Sequence, residues 1–422
     1  MNNKIRYTKA VISPINVGLV TNRNPYIIMW WAAAFPGFPQ LSMCKYISGT
    51  ILILWEVLIN MNAKLNLALM YSFTGQFELA TKVLDMRWIL MYIPVYIFGI
   101  WDSRRLVMDG NKFAILTDSI GSYEQIQPTK ISWFDNNMLD KLRPSIAAFW
   151  SSIFPGLGHM YIYRLPSAVG LISWIVIISY FSHLLPAAHF TFQGQFDKAT
   201  AILDPQWFLF LPSLWGFGIF DSYVFCKKQN DLFINEQSRY LVKHNQPQDF
   251  NAQYFSKRVG EMNIVASFSS SLYVELAINE LKQNGIVNED IFAIPLTEQQ
   301  KKNNINAING EGFPYFEVAI SSGTAFSVLG AIYGFIWYGG PVLWGLAGFF
   351  FGSLLGLLID LIIERKKLEE KLKKGKGGEV MLIVKCNKER AKMVKDILFD
   401  HFTLGVSEVD FNHTKNLGNS GL

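Results

Sequence analysis

The chain writes one phrase twice: "FTGQFELATKVLDMRW" at Phe73–Trp88 and "FQGQFDKATAILDPQW" at Phe192–Trp207, 119 positions apart. The match extends outward at the same offset. "FPGFPQ" at Phe35–Gln40 answers "FPGLGH" at Phe154–His159, and Trp55 answers Trp174. "FGIWDS" at Phe98–Ser103 answers "FGIFDS" at Phe217–Ser222, with no gap needed between Trp31 and Ser103. An internal repeat of this kind fixes how the rest is read.

Each copy has the same parts. A short aromatic lead, "YIIMWWAAAFPG" or "SIAAFWSSIFPG", ends in Pro-Gly. About ten residues are too few to span a bilayer, which takes ~20. The lead therefore reads as an interfacial or re-entrant half-helix stopped by its turn. A spanning helix follows from Tyr46 or Ala168, then the repeated phrase, then a second, Gly/Pro-interrupted span. Within the phrase, Phe77, Ala80 and Leu84 share a helical face, which predicts an amphipathic segment on the membrane surface. Asp204 before Pro205 is a helix-start signal, so Asp85 and Asp204 read as caps rather than catalytic acids.

Composition agrees with a membrane chain. Half of the 422 residues are hydrophobic and 17% are charged, against roughly 25% in typical soluble domains. Net charge is +5, which does not imply nucleic-acid binding. Cys44, Cys226 and Cys386 are scattered and suggest neither a disulfide framework nor a metal site. The N-terminal stretch reads as no signal peptide. Cations gather before the first copy (Lys4, Arg6, Lys9, Arg23), between the copies (Arg104, Arg105, Lys112, Lys130, Lys141, Arg143) and after the second (Lys227, Lys228, Arg239, Lys243). The positive-inside rule then puts both copies in the same orientation, with the phrase outside.

Beyond the second copy the pattern changes. Asn263–Phe268 and Asp290–Leu296 read as strands around a helix with the stripe Val274, Ala277, Ile278 and Leu281, and Gly285 at its end. "EVMLIVKCNKERAKMVKDILFDHFTLGVSEVDF" repeats strand, helix, strand, which predicts a ferredoxin-like sandwich. Between the halves, Val318–Ile363 forms two apolar helices divided by "YGGP" at Tyr338–Pro341. Gly330 and Gly334, and Gly348, Gly352 and Gly356, give the small-xxx-small spacing of closely packed membrane helices.

The unit "FPGLGHMY…FGIFDS" resembles small bacterial two-helix membrane domains with a PGxGxxY turn and an Asp after the second span. "FPGFPQLS" lacks the second Gly, the His and the Tyr, so any role tied to His159 holds only for the second copy. The C-terminal region resembles the bacterial general-stress, heat-induced YflT-like domain through Phe268, Ser269, Ser270, Ala277, Glu280, Leu281, Gly285, Asp290 and Ile291. Neither resemblance implies a known reaction.

The expected fold is thus a polytopic α-helical membrane protein with six spans in a parallel tandem repeat and a cytoplasmic α/β ferredoxin-like domain. Expected boundaries are a cytoplasmic segment 1–24, repeat 1 at 25–110, a linker 111–143, repeat 2 at 144–228 and a polar linker 229–256. The ferredoxin-like domain occupies 257–413, interrupted by the hairpin 318–363, with a tail at 414–422. Both termini are expected in the cytoplasm of a multi-pass cell-membrane protein. Glu56 is the ionisable residue nearest mid-span, and intramembrane acids are functional hypotheses by default. It either serves a function, or snorkels outward, or faces Asn60 or Lys64. Asp102 and Asp221 end their spans, and Lys45 and Arg164 recur at the same offset, which suggests an ion pair in each copy or four separately hydrated charges. No Walker, HExxH, GxSxG or CxxC motif is present. The expectation is a non-enzymatic scaffold or stress- and envelope-related regulator without cofactor, in contact with lipid, with a protein partner at the cytoplasmic domain and oligomerisation left open. The alternative is a channel or transporter for a small ion or solute.

Overall fold

The computed structural model describes residues 8–119, 126–133, 135–245, 261–269, 271–296, 315–371 and 379–409. It opens with a short hairpin, β1 (Ala10–Ser13) and β2 (Asn16–Leu19). The aromatic lead forms α1 (Pro25–Ala34), begun by Pro25 and capped by Asn24, whose side chain accepts from the Tyr26 N–H at 2.9 Å. Next come α2 (Phe38–Ser42), α3 (Tyr46–Ala63), α4 (Leu65–Phe73), α5 (Phe77–Val83) and α6 (Met86–Ser119). A second hairpin, β3 (Thr129–Ile131) and β4 (Asn136–Met138), precedes the next set. That set is α7 (Pro144–Ile153), α8 (Leu157–Tyr161), α9 (Leu165–Phe181), α10 (Leu184–Phe192), α11 (Phe196–Ile202), α12 (Pro205–Phe208) and α13 (Leu211–Asn245). The chain continues through β5 (Glu261–Ser269), α14 (Leu272–Gln283), β6 (Ile291–Leu296), α15 (Tyr315–Gly334), α16 (Gly340–Lys371), β7 (Glu379–Asn387), α17 (Ala391–Asp400) and β8 (Gly405–Val409).

Among the described residues, four helices are long and apolar enough to cross a membrane: Tyr46–Ala63, Pro205–Asn245, Phe316–Gly334 and Gly340–Ile359. Two bent pairs raise the number to six if each is one span. They are Phe77–Val83 with Met86–Thr117, at 90°, and Leu165–Phe181 with Leu184–Phe192, at 68°. The chain is mostly helical and consistent with a multi-pass membrane protein.

Positive-φ positions recur at the offset of 119. Left-handed residues fall at Gly37 and Gly156, Cys44 and Tyr163, Lys64 and His183, and Gly75 and Gly194. The repeated phrase is a compact corner. Its far end is tied back when the Asp85 N–H donates to Ala63 O at 3.3 Å and the Asp204 N–H donates to Ser182 O at 3.1 Å. Both acids act as caps, as expected. Asp204 accepts from the Gln206 and Trp207 N–H groups, and Asp85 accepts from the Arg87 N–H. Within α5, Ala80 is buried and Phe77 lies outward. In the second copy Phe196 instead meets the Tyr338 ring edge-on at 5.0 Å.

The chain divides into two compact units. The first holds the helical bundle through Lys228 together with α15 and most of α16. Its core is an aromatic column. Phe35 stacks on Phe38 at 4.5 Å, Phe38 on Phe217 at 4.3 Å, and the fully buried Trp31 packs on Phe217 and Phe220. Lead and turn of the first copy therefore pack on the last span of the second. Within the hairpin, Gly334, Gly352 and Gly356 each face the opposite helix so closely that a Cβ would lie under 3.0 Å from it. The Ser322 hydroxyl donates to Gly352 O at 2.7 Å and that of Ser327 to Gly345 O at 2.9 Å. The small-residue spacing read from sequence is what permits these contacts.

The second unit holds a four-stranded sheet in the order β6-β7-β5-β8, every neighbouring pair antiparallel. Its core joins Ile264, Ala266 and Phe268, Val380, Leu382 and Val384, the predicted stripe of α14, and Val394 and Leu398 of α17. Gly285 takes φ +83° after α14, as a C-terminal stop requires. Burial pushes the Cys386 thiol above its ordinary pKa, which leaves it a packing residue.

Several boundaries are corrected. Residues 229–245 of the expected polar linker continue α13; Leu241 is fully buried in the second unit's core, so this stretch packs. The rest of that linker and the tail lie outside the described residues. The expected linker 111–143 begins inside α6 and contains the β3–β4 hairpin, and residues 1–24 contain β1 and β2. Asp102 and Asp221 do not end helices: α6 runs on to Ser119 and α13 to Asn245. The helix-terminus argument for pairing them therefore falls, because both backbones stay hydrogen-bonded past these residues.

Candidate functional site

The Pro-Gly turn sets the geometry. At Gly37 and Gly156, with φ of +100° and +105°, a Cβ would come within 2.6 Å of Gly49 O and 2.9 Å of Ala168 O respectively. Only glycine allows that approach. Three residues past each glycine, Gln40 and His159 are aimed at the acid of their own copy's last span. Gln40 Nε2 donates to Asp102 Oδ2 at 3.1 Å, and His159 Nε2 lies 3.1 Å from Asp221 Oδ2. The offset thus conserves a polar contact although its residue type changes.

Around Asp221 the contact grows into a clasp. Arg164 Nη1 donates to Asp221 Oδ2 at 2.5 Å, both side chains being essentially inaccessible. Arg164 Nη2 donates to Leu41 O at 2.8 Å, and its guanidinium lies 4.0 Å from the centre of the Phe225 ring. The hydroxyl of Ser42 donates to Asp221 Oδ1 at 2.5 Å, bridging 179 positions of chain. Arg23 closes the outside, donating to the Ser42 hydroxyl and, at 3.0 Å, to Ser42 O. Burial lowers the Arg23 guanidinium below its ordinary pKa, opposed chiefly by Asp221, and it stays a cation. Glu317 of α15 also acts on Arg23, and its neighbour Phe316 stacks on Tyr223 at 3.8 Å. Asp221 thereby joins elements of both copies.

The expected pair Lys45 with Asp102 is not formed. Lys45 is exposed, and Asp102 takes Arg105, one turn along its own helix, at 2.5 Å. A lysine ammonium is a strongly hydrated point charge on a flexible stem, whereas the guanidinium of Arg164 is a planar fork matched to carboxylate and carbonyl acceptors. The pair Arg164 with Asp221 is formed. Sequence reasoning missed Ser42, Arg23 and Gln40. For Gln40 the signal was available, since it stands at the offset of His159.

Glu56 stands apart from the clasp. It is 5% exposed in the middle of α3, and Asn60 Nδ2 donates to its Oε1 at 3.0 Å. It neither snorkels outward nor reaches Lys64, which is exposed. Asn60 in turn joins Asn66 and Gln206: Gln206 Nε2 donates to Asn60 Oδ1 at 2.9 Å and Asn66 Nδ2 donates to Gln206 O at 2.9 Å. Among the described residues no group of three or more His, Cys, Asp or Glu is placed to hold a metal ion.

No known family, curated protein or solved structure matches the chain.

Proposed function

We propose that the chain is a non-enzymatic, multi-pass membrane scaffold that anchors a small ferredoxin-like regulatory domain in the cytoplasm. One observation carries the reading: the charges at the heart of the helical unit, Arg164 and Asp221, are buried and paired with each other, with the His159 ring on the acid and a carbonyl of a facing segment on the guanidinium. Such groups hold elements in place. The strand order β6-β7-β5-β8, with one helix after β5 and one after β7, supports the ferredoxin-like reading. The duplication is supported by the matching left-handed positions. A regulatory, stress- or envelope-related role rests on the resemblance to general-stress domains, and the α/β domain is where a protein partner would bind.

A second reading, a channel or transporter, is favoured by Glu56, whose Oε2 is buried without a partner inside a spanning helix. Purified protein in liposomes separates the two. The scaffold reading expects ion and small-solute flux no faster than in empty vesicles. Protein-dependent flux that disappears in Glu56→Gln would replace it with the transport reading.

The same proposal puts both termini of each copy inside. With the three native cysteines replaced by Ser, single cysteines at the exposed Phe192 and Tyr338 should react with an impermeant thiol reagent in intact cells. A cysteine at the exposed Lys130 should react only after lysis. Labelling at Lys130 from outside would reverse the orientation.

A further inference from the structure

We infer that Glu56 is a proton-binding site inside the membrane part, built to hold one proton rather than a metal cation, and coupled to the joint between the two copies.

The niche has one vacancy. Asn60 Oδ1 already accepts from the Asn66 N–H at 3.3 Å and from Gln206 Nε2 at 2.9 Å. Asn66 Oδ1 accepts from Asn60 Nδ2 at 3.2 Å, and Gln206 Oε1 accepts from the Leu67 N–H at 2.9 Å. Glu56 Oε1 accepts from Asn60. Glu56 Oε2 is buried and has no acceptor or donor within hydrogen-bond distance. A metal cation replaces its water shell with several oxygens, about six to eight for calcium. A proton needs a single oxygen.

The electrostatics agree with that count. Among the described residues the groups facing Glu56 are the Asn60 carboxamide and, from α6, the phenol of Tyr92, both neutral hydrogen-bond donors to its carboxyl, with Tyr96 stacked behind Tyr92 at 5.3 Å. Among the described residues no cation acts on it. A carboxylate without a cation partner in such a place costs several kcal/mol, and a neutral carboxylic acid costs less. Packing alone does not call for the acid either. The corresponding position of the second copy is Ile175, 1% exposed. The same slot in the fold thus accepts a purely apolar side chain, and the carboxyl of Glu56 supplies something that packing does not.

The coupling follows from Asn60. Its side-chain amide holds Glu56 Oε1 and Asn66 Oδ1, while its oxygen receives Gln206 of the second copy, which also donates to the Asn60 main-chain carbonyl at 3.0 Å. Loss of the proton would put a full charge against that amide and pull it toward the carboxylate. The Asn60, Asn66 and Gln206 bonds that join α3 and α4 to α12 would then weaken. The site therefore offers a way for protonation to act on the contact between copies, whether or not the chain moves a solute.

Infrared difference spectra of the protein in liposomes, wild type minus Glu56→Gln, test this. A protonated-carboxyl stretch is expected at neutral pH, absent from the variant and lost at alkaline pH. Carboxylate bands at neutral pH, or a carboxyl band unchanged by the substitution, would overturn the site. A carboxyl band removed by sodium or potassium at constant pH would make it a cation site instead. The wild type alone gives a second readout, so the test does not depend on the variant folding. Dicyclohexylcarbodiimide, an apolar carbodiimide, takes the acid proton on nitrogen while the carboxyl oxygen bonds to its central carbon. Acyl transfer to nitrogen then leaves a stable N-acylurea with no group lost. Mass mapping should find that adduct at Glu56, declining as pH rises and unprotected by sodium; neutral-pH labelling elsewhere but not there would count against the proposal.

Discussion

Asp221→Ala should be the most damaging single substitution in the helical unit. It leaves the Arg164 guanidinium buried without its carboxylate, and breaking a buried pair from one side costs about 3–5 kcal/mol. It also strips the Ser42 hydroxyl and the His159 ring of their acceptor. Thermal unfolding of detergent-solubilised protein should fall steeply. The corresponding Asp102→Ala should cost less, because its cation, Arg105, is half-exposed and can return to water, and Gln40 Nε2 keeps the Ser103 hydroxyl as acceptor. Removing both charges together, as Arg164→Met with Asp221→Leu, should recover much of the loss, since an apolar pair of similar volume often replaces a buried ion pair at little cost. Additive losses in that cycle, or equal losses for Asp102 and Asp221, would show that the clasp does not hold the copies together.

The second large effect is expected at Gly352. A Cβ there would lie 2.7 Å from Phe326 Cβ and 2.6 Å from Ser322 O. Neither neighbour is the flexible end of a side chain, so Gly352→Leu must push α15 and α16 apart. Overpacking of this kind costs about 1–3 kcal/mol. Separation also breaks the bond from the Ser322 hydroxyl to Gly352 O, with roughly another 1 kcal/mol lost. Leu354→Ala is the control two residues along: Leu354 is 61% exposed, and a substitution away from packed contacts changes stability by about 0.5 kcal/mol or less. Thermal midpoints should separate the two variants clearly. Equal midpoints would mean that close approach contributes nothing to the hairpin.

The sequence by itself determined whatever is written at short range or by repetition. The offset of 119 located both copies, the turn glycines, the Asp caps and both acids. Hydrophobic periodicity and Gly285 located the elements of the α/β unit, and glycine spacing gave the helix-packing face of the hairpin. Each of these is a local signal: a cap bonds two or three residues on, a helical stripe recurs every three or four, and a glycine declares its own backbone freedom.

Only the tertiary structure decided which charges meet. Lys45 and Arg164 occupy corresponding positions, yet one stays in water and the other is buried against Asp221. Ser42 and Arg23 could not be chosen from sequence as partners of that acid, because Ser42 stands 179 positions away. The polar run from Gln229 looked like a linker because its apolar residues are sparse; Leu241 becomes a core residue only where the second unit supplies a surface to bury it. A polar or charged side chain carries no long-range address of its own. Its role is set by the facing element, and by whether that element supplies a partner sufficient to offset the loss of water.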